Sequence, residues 1–301
     1  MNWILPAIIS PALYSFVIFI DKYIIEKKIA SYWSMPIFTS IVGVLFGFIF
    51  WWIGDFAILP PREAFLILLV GVISLWGSVL YFKAIADEES SLIIILLQMH
   101  PAIVLILATT FLNEVITVSQ LIGFVLVLGP AVILSLNIGS DIQKVPFNLS
   151  ASFWAILGAG LLWSIGIIIF KPISQEHALI TVVAFESWGL GIGGLIIYLA
   201  IPIIRNQFHE SIRSNQGVLL FVLFNESLSV GAKLIGFLAF SLGPVALVSV
   251  LGSTQVFFGI ILGVILTKFL PKIFNEDLSR ATLTSKFSWS AIMLLGLWFI
   301  R

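Results

Sequence analysis

Ten apolar runs fill most of this 301-residue chain, and they leave it few folds to choose from. They cover roughly residues 2–20, 34–53, 64–85, 92–112, 118–136, 152–170, 179–201, 217–240, 245–268 and 286–300. A helix needs about 20 consecutive apolar residues to cross a bilayer, and only the last run falls well short. The stretches between them are short and polar. In hydrocarbon the backbone has to satisfy its own hydrogen bonds, so such runs are read as helices. The expected class is an all-α membrane protein with ten transmembrane helices.

Composition removes the competing classes. Only 10% of the residues are charged, against roughly 25% in soluble domains, so a water-facing surface could not be covered. The formal net charge is zero, which gives no electrostatic case for nucleic acid. Cysteine is absent, so disulfides, thiolate catalysis and cysteine metal sites are excluded. The three histidines, His100, His177 and His209, are too scattered in sequence to suggest a metal centre. No cofactor is expected. The N-terminal run lacks a basic flank and a small-residue cleavage site before Asp21-Lys22, so it is read as a retained first span.

The two halves repeat. At an offset of about 149, Tyr14-Ser15 falls on Trp163-Ser164 and Lys22 on Lys171. By the third and fourth spans the offset is about 155, which puts Ala84 on Ala239 and His100 on Gln255. Small loop insertions account for the drift. The chain therefore divides into two five-span units, 1–150 and 151–301. An odd number of spans inverts the second copy, giving two inverted five-helix repeats, an architecture suited to alternating access about a mid-membrane site.

At residue level the fourth and fifth spans resemble the EamA module of the drug/metabolite transporter superfamily. The likeness is carried by Pro101, Glu114, Gln120, Gly123 and Gly129, and by the aromatic-small pairs followed by Lys: Tyr14-Ser15 with Lys22, and Trp163-Ser164 with Lys171. The resemblance implies a ten-span transporter with cytoplasmic termini. There are departures. Where the family often places an Arg in the second span, this chain has Thr39-Ser40 and Glu186-Ser187. The position matching Glu114 in the second copy is Phe269, and an acidic pair, Glu276-Asp277, follows in a longer loop.

Ionisable groups inside spans cost about 2.5–3.5 kcal/mol each on insertion scales and by default mark function. Glu226 and Lys233 lie seven residues apart in the eighth span and share a helix face, too far apart for a direct ion pair. Glu186, in the seventh span, is either a further site carboxylate or the partner of Lys233. Gln98 and His100 precede Pro101, which frees the Leu97 carbonyl, and Gln255 is the repeat mate of His100. Tyr14 and Trp163 complete the candidate site, with packing as the alternative for both. Trp76 and Tyr81 are further candidates for a cavity wall. Lys22 and Lys171 are read as snorkelling or gating groups, Lys83 as a snorkelling group, and Glu114 as the structural end-stop of its span. Glycines spaced by four, at Gly43/Gly47, Gly189/Gly193 and Gly259/Gly263, predict close helix contacts.

Lys and Arg concentrate in the odd-numbered loops, which places those loops in the cytoplasm and both termini outside, opposite to the orientation the resemblance implies. The leading function is a cell-membrane secondary transporter that exports a small polar or amphipathic metabolite. Glu226 and Lys233 together suggest an amino-acid-like zwitterion, and Glu226, Glu186 or His100 is available for proton coupling. The expected partners are a small-molecule substrate and membrane lipid, with the chain a monomer or homodimer. No P-loop is present, so ATP is not the direct energy source. The alternatives are a flippase for a lipid-linked sugar or amphipathic drug and, in another class, an intramembrane enzyme. The latter lacks a catalytic constellation, so no enzyme activity is expected.

Overall fold

The structure, a computed structural model, describes residues 3–29, 31–88, 90–137, 151–214 and 216–271, with scattered positions from 279 to 299. No strand occurs among the described residues. Among them, seven helical segments are long and apolar enough to cross a membrane: Ile4–Lys27, Tyr32–Ile53, Pro61–Asp87, Ala151–Glu176, Leu179–Ala200, Leu219–Leu242 and Val245–Phe269. The elements in chain order are α1 (Ile4–Lys27), α2 (Met35–Ile53), α3 (Pro61–Asp87), α4 (Ser90–Leu96), α5 (His100–Phe111), α6 (Val118–Asn137), α7 (Ala151–Glu176), α8 (Leu179–Ala200), α9 (Pro202–Ser214), α10 (Gln216–Leu242), α11 (Val245–Gly252) and α12 (Gln255–Phe269). Apart from Asn137, the last residue of α6, the loop expected at 137–150 lies outside the described residues, as does the Glu276-Asp277 pair. The expected span at 286–300 does so in part, and its described positions are helical.

Two of the expected spans are broken. The fourth consists of α4, a 3₁₀ turn at Leu97–Met99, and α5. Pro101 sits in the first turn of α5, where its missing N–H costs nothing. The Leu97 carbonyl is not left free as the sequence suggested, because the tighter turn hands it to the His100 N–H. The ninth span is likewise divided, at Ser253-Thr254, into α11 and α12. There the Thr254 hydroxyl donates to the Leu251 carbonyl at 2.8 Å, satisfying one of the acceptors at the end of α11.

The bundle is built on a few extended contacts: α2 on α8, α3 on α7 and α8, and α1 on α10. Shorter contacts join α5 to α7 and α11, and α1 to α11 and α12. The α3–α8 crossing depends on glycine. A Cβ on Gly71 would collide with the Glu186 carbonyl and the Gly189 backbone, and one on Gly189 with the Leu68 carbonyl. Gly43 and Gly47 abut Leu190 and Trp188 on α8, and Gly259 abuts Ile94 on α4, as the four-residue spacing predicted. The outer face carries exposed Leu45, Phe48, Trp52, Leu199 and Leu220, an apolar surface suited to lipid. The connection expected after the seventh span is not an irregular loop but the amphipathic α9. This helix buries Ile204 and Phe208 and exposes Asn206, His209, Glu210 and Arg213.

Candidate functional site

Ionisable and aromatic side chains from α1, α3, α7, α8 and α10, with Thr39 of α2, converge with the two helix breaks on one cavity of about 320 Å³. All eight residues singled out from the sequence line it: Tyr14, Gln98, His100, Trp163, Glu186, Glu226, Lys233 and Gln255. Helical periodicity explains why α10 contributes two charges. Seven residues is close to two turns, so Glu226 and Lys233 both face inward.

The two charges do not pair with each other. The Lys233 ammonium donates to Glu186 Oε2 at 2.6 Å, one of the two roles the sequence left open for Glu186. Glu186 is fully buried, and its second oxygen, Oε1, has no hydrogen-bond partner among the described residues. Glu226, 3% exposed, accepts from the Thr39 hydroxyl at 3.0 Å. His100 Nε2 is also buried without a partner among the described residues. Gln98 donates to the Ile94 carbonyl at 2.7 Å and so spends its amide on the end of α4. Trp163 donates its indole N–H to the Ser74 carbonyl at 3.0 Å, and Gly77 leaves room for the ring. The Gln255 backbone carbonyl accepts from Ser15 at 3.1 Å, tying the second break to α1.

One buried acid is missing from the set singled out in the sequence. Asp21 directly follows the first apolar run in the sequence, but α1 continues to Lys27 and Asp21 is 3% exposed on the cavity wall. Its two oxygens accept from Tyr81 Oη at 2.8 Å and Asn225 Nδ2 at 2.6 Å. A signal was available: Asp21 follows Tyr14 by seven residues, the same interval that pairs Glu226 with Lys233. Thr39 and Tyr81 also line the cavity, whereas Trp76 does not and is 38% exposed.

The remaining polar candidates hold helix ends. Lys22 donates to the carbonyls of Ile85 and Ala86 at the C-terminus of α3, at 3.0 and 3.3 Å, and pairs with Glu26 at 3.2 Å. Lys171, 8% exposed, donates to Phe240, Ser241 and Gly243 at the C-terminus of α10, at 2.8, 3.3 and 2.9 Å. A cation at this end of a helix meets its unpaired carbonyls and the negative end of its dipole. Neither lysine snorkels to headgroups. Glu114 acts at the opposite kind of terminus. Asn113, in the left-handed region, turns the chain after α5, and the Glu114 carboxylate accepts from the N–H groups of Val245 and Ala246 at 2.5 and 3.0 Å. It therefore caps α11 in the other half of the chain rather than only the local turn. Lys83 is exposed.

Away from the cavity, Glu63, Glu176 and His177 bring ligand atoms within 4.8 Å of one another, with His177 on Glu63. This cluster joins the start of α3 to the end of α7 at the surface. Glu176 is exposed and Glu63 and His177 are partly exposed, as in an ordinary helix-end ion pair.

Residues 1–136 match the family model described as the EamA-like transporter family. No curated protein gives a significant match. Among solved structures, one titled only "Crystal structure of protein" superposes with a TM-score of 0.64, covering 99% of this chain and 94% of that one at 12% identity. At that identity the likeness speaks for the fold alone.

Proposed function

We propose that this chain, which belongs through residues 1–136 to the EamA-like transporter family of the drug/metabolite transporter superfamily, is a secondary transporter that carries a small polar or amphipathic metabolite by alternating access. One observation carries the reading: the buried carboxyl groups of three helices, Asp21 on α1, Glu186 on α8 and Glu226 on α10, meet the partly buried Lys233 of α10 in a single cavity beside two broken helices. Unwound backbone at membrane depth is tolerated where it lines a cavity, and it offers the ligand groups that a regular helix conceals.

The inverted-repeat architecture is part of this proposal, and the contacts support it. If α1, α2 and α3 correspond to α7, α8 and α10, then the α1–α10 contact and the α3–α7 contact are mates, and α2–α8 maps onto itself. The polar bonds follow the same rule. Ser15 donates to Pro11 and Ser164 to Gly160, while Lys22 holds the end of α3 as Lys171 holds the end of α10. The helix breaks fall at corresponding places, before His100 and before Gln255. Residence in the cell membrane, export, and a topology with both termini outside complete the reading. Lys22 and Lys171 drop out of the charge tally because they are helix caps, and the odd-loop excess survives their removal.

Counterflow of labelled metabolites into proteoliposomes tests the proposal. Active protein should exchange at least one small metabolite down its own gradient without ATP, and Glu226→Gln should abolish that exchange. Uptake that requires ATP, or full exchange by Glu226→Gln, would refute it.

A further inference from the structure

The charges of the cavity do not balance, and the imbalance points to the kind of molecule it takes. Three carboxyl groups line it, Asp21, Glu186 and Glu226, against one ammonium, Lys233. That ammonium is committed to Glu186 at 2.6 Å. Asp21 is held by two neutral donors, and Glu226 by a neutral hydroxyl. Asp21 and Glu226 therefore make no ion pair with a base among the described residues. A buried carboxylate without a counter-charge is costly, so each of these groups either takes up a proton or meets a cation brought by a ligand. Glu186 Oε1 is buried on the same wall with no donor among the described residues, which calls for a ligand that brings N–H groups. Tyr14 and Trp163 also line the cavity, and aromatic rings attract cations.

We infer that the cavity binds an organic cation bearing N–H donors, of the protonated primary amine class, with Glu226 as its principal contact. This rests on the transporter reading and narrows it. Glu226 and Lys233 seen along one helix suggest a zwitterion, but the Glu186 ion pair withdraws the positive half of that site.

The test is equilibrium binding to the purified full-length protein, so that it does not depend on transport. Four probes share a phenyl ring and a short chain and differ in head group: phenethylamine, phenethyl alcohol, phenylalanine and phenylpropionate. Phenethylamine should bind, and the neutral, zwitterionic and anionic probes should bind at least tenfold more weakly. Glu226→Gln should weaken phenethylamine by roughly thirtyfold or more, the usual cost of removing one member of a buried charge pair. Glu226→Asp keeps the charge and should retain most of the binding, which separates loss of the site from loss of the fold. Preference for phenylalanine, equal binding of the alcohol, no binding of the amine, or an unaffected Glu226→Gln would each overturn the inference. Amine binding without counterflow would leave the ligand class standing and remove the transporter reading instead.

Discussion

Replacing Lys171 with Met should destabilise the protein more than the same change at Lys22. Lys171 supplies two short hydrogen bonds and one longer one, at 2.8, 2.9 and 3.3 Å, to carbonyls at the end of α10. Lys22 supplies one short and one long, at 3.0 and 3.3 Å, and is also engaged by Glu26. A hydrogen bond from a charged donor contributes about 1.5–3 kcal/mol net. Two good ones would give about 3–6 kcal/mol, from which the relief of no longer burying an ammonium has to be subtracted. A net loss of about 2–4 kcal/mol is expected for Lys171→Met, and about half of that for Lys22→Met. At roughly 2–4 °C per kcal/mol, the Lys171 variant should melt about 4–16 °C below wild type in detergent. Thermal unfolding followed by tryptophan fluorescence reads both variants. A Lys171→Met protein as stable as wild type, or a larger loss at Lys22, would refute the helix-cap account and return both residues to the headgroups.

Two further outcomes follow from the packing and the charge distribution. Gly71→Ala places a methyl against the Glu186 carbonyl and the α8 backbone and should cost about 1–3 kcal/mol through overpacking; Gly231→Ala, with nothing within 4 Å of the new methyl, should be neutral or stabilising by about 0.5–1 kcal/mol. With no native cysteine to interfere, Asp55→Cys should react with an impermeant thiol reagent in intact cells and Asn206→Cys should not; the reverse pattern would place the termini inside.

Much of the cavity is legible in the amino-acid sequence, because a charge or amide inside an apolar run is conspicuous against its background. Glu186, Glu226, Lys233 and the Gln98–Pro101 interruption stand out for that reason, and inward convergence follows from the cost of facing lipid. Asp21 does not stand out, because Lys22 next to it makes both look like the polar end of a span. Its role depends on α1 running on to Lys27, and element boundaries are weakly encoded in local sequence. The partners of Lys22, Lys171 and Glu114 are hidden for another reason. They are backbone groups 63 to 132 residues away, which carry no side-chain signature of the contact. The division of the fourth span is visible at Pro101. That of the ninth is silent at Ser253-Thr254, where no proline marks the turn.

The central claim, a mid-membrane site reached in turn from both sides, is tested most directly by a single cysteine in the cavity wall. Ser229 lines the cavity on α10, one turn from Glu226 and from Lys233. Ser229→Cys should react with a membrane-impermeant thiol reagent in right-side-out and in inside-out vesicles alike, while Leu45→Cys on the lipid-facing surface reacts in neither. Reaction of Ser229→Cys from one side only, or from neither, would contradict alternating access.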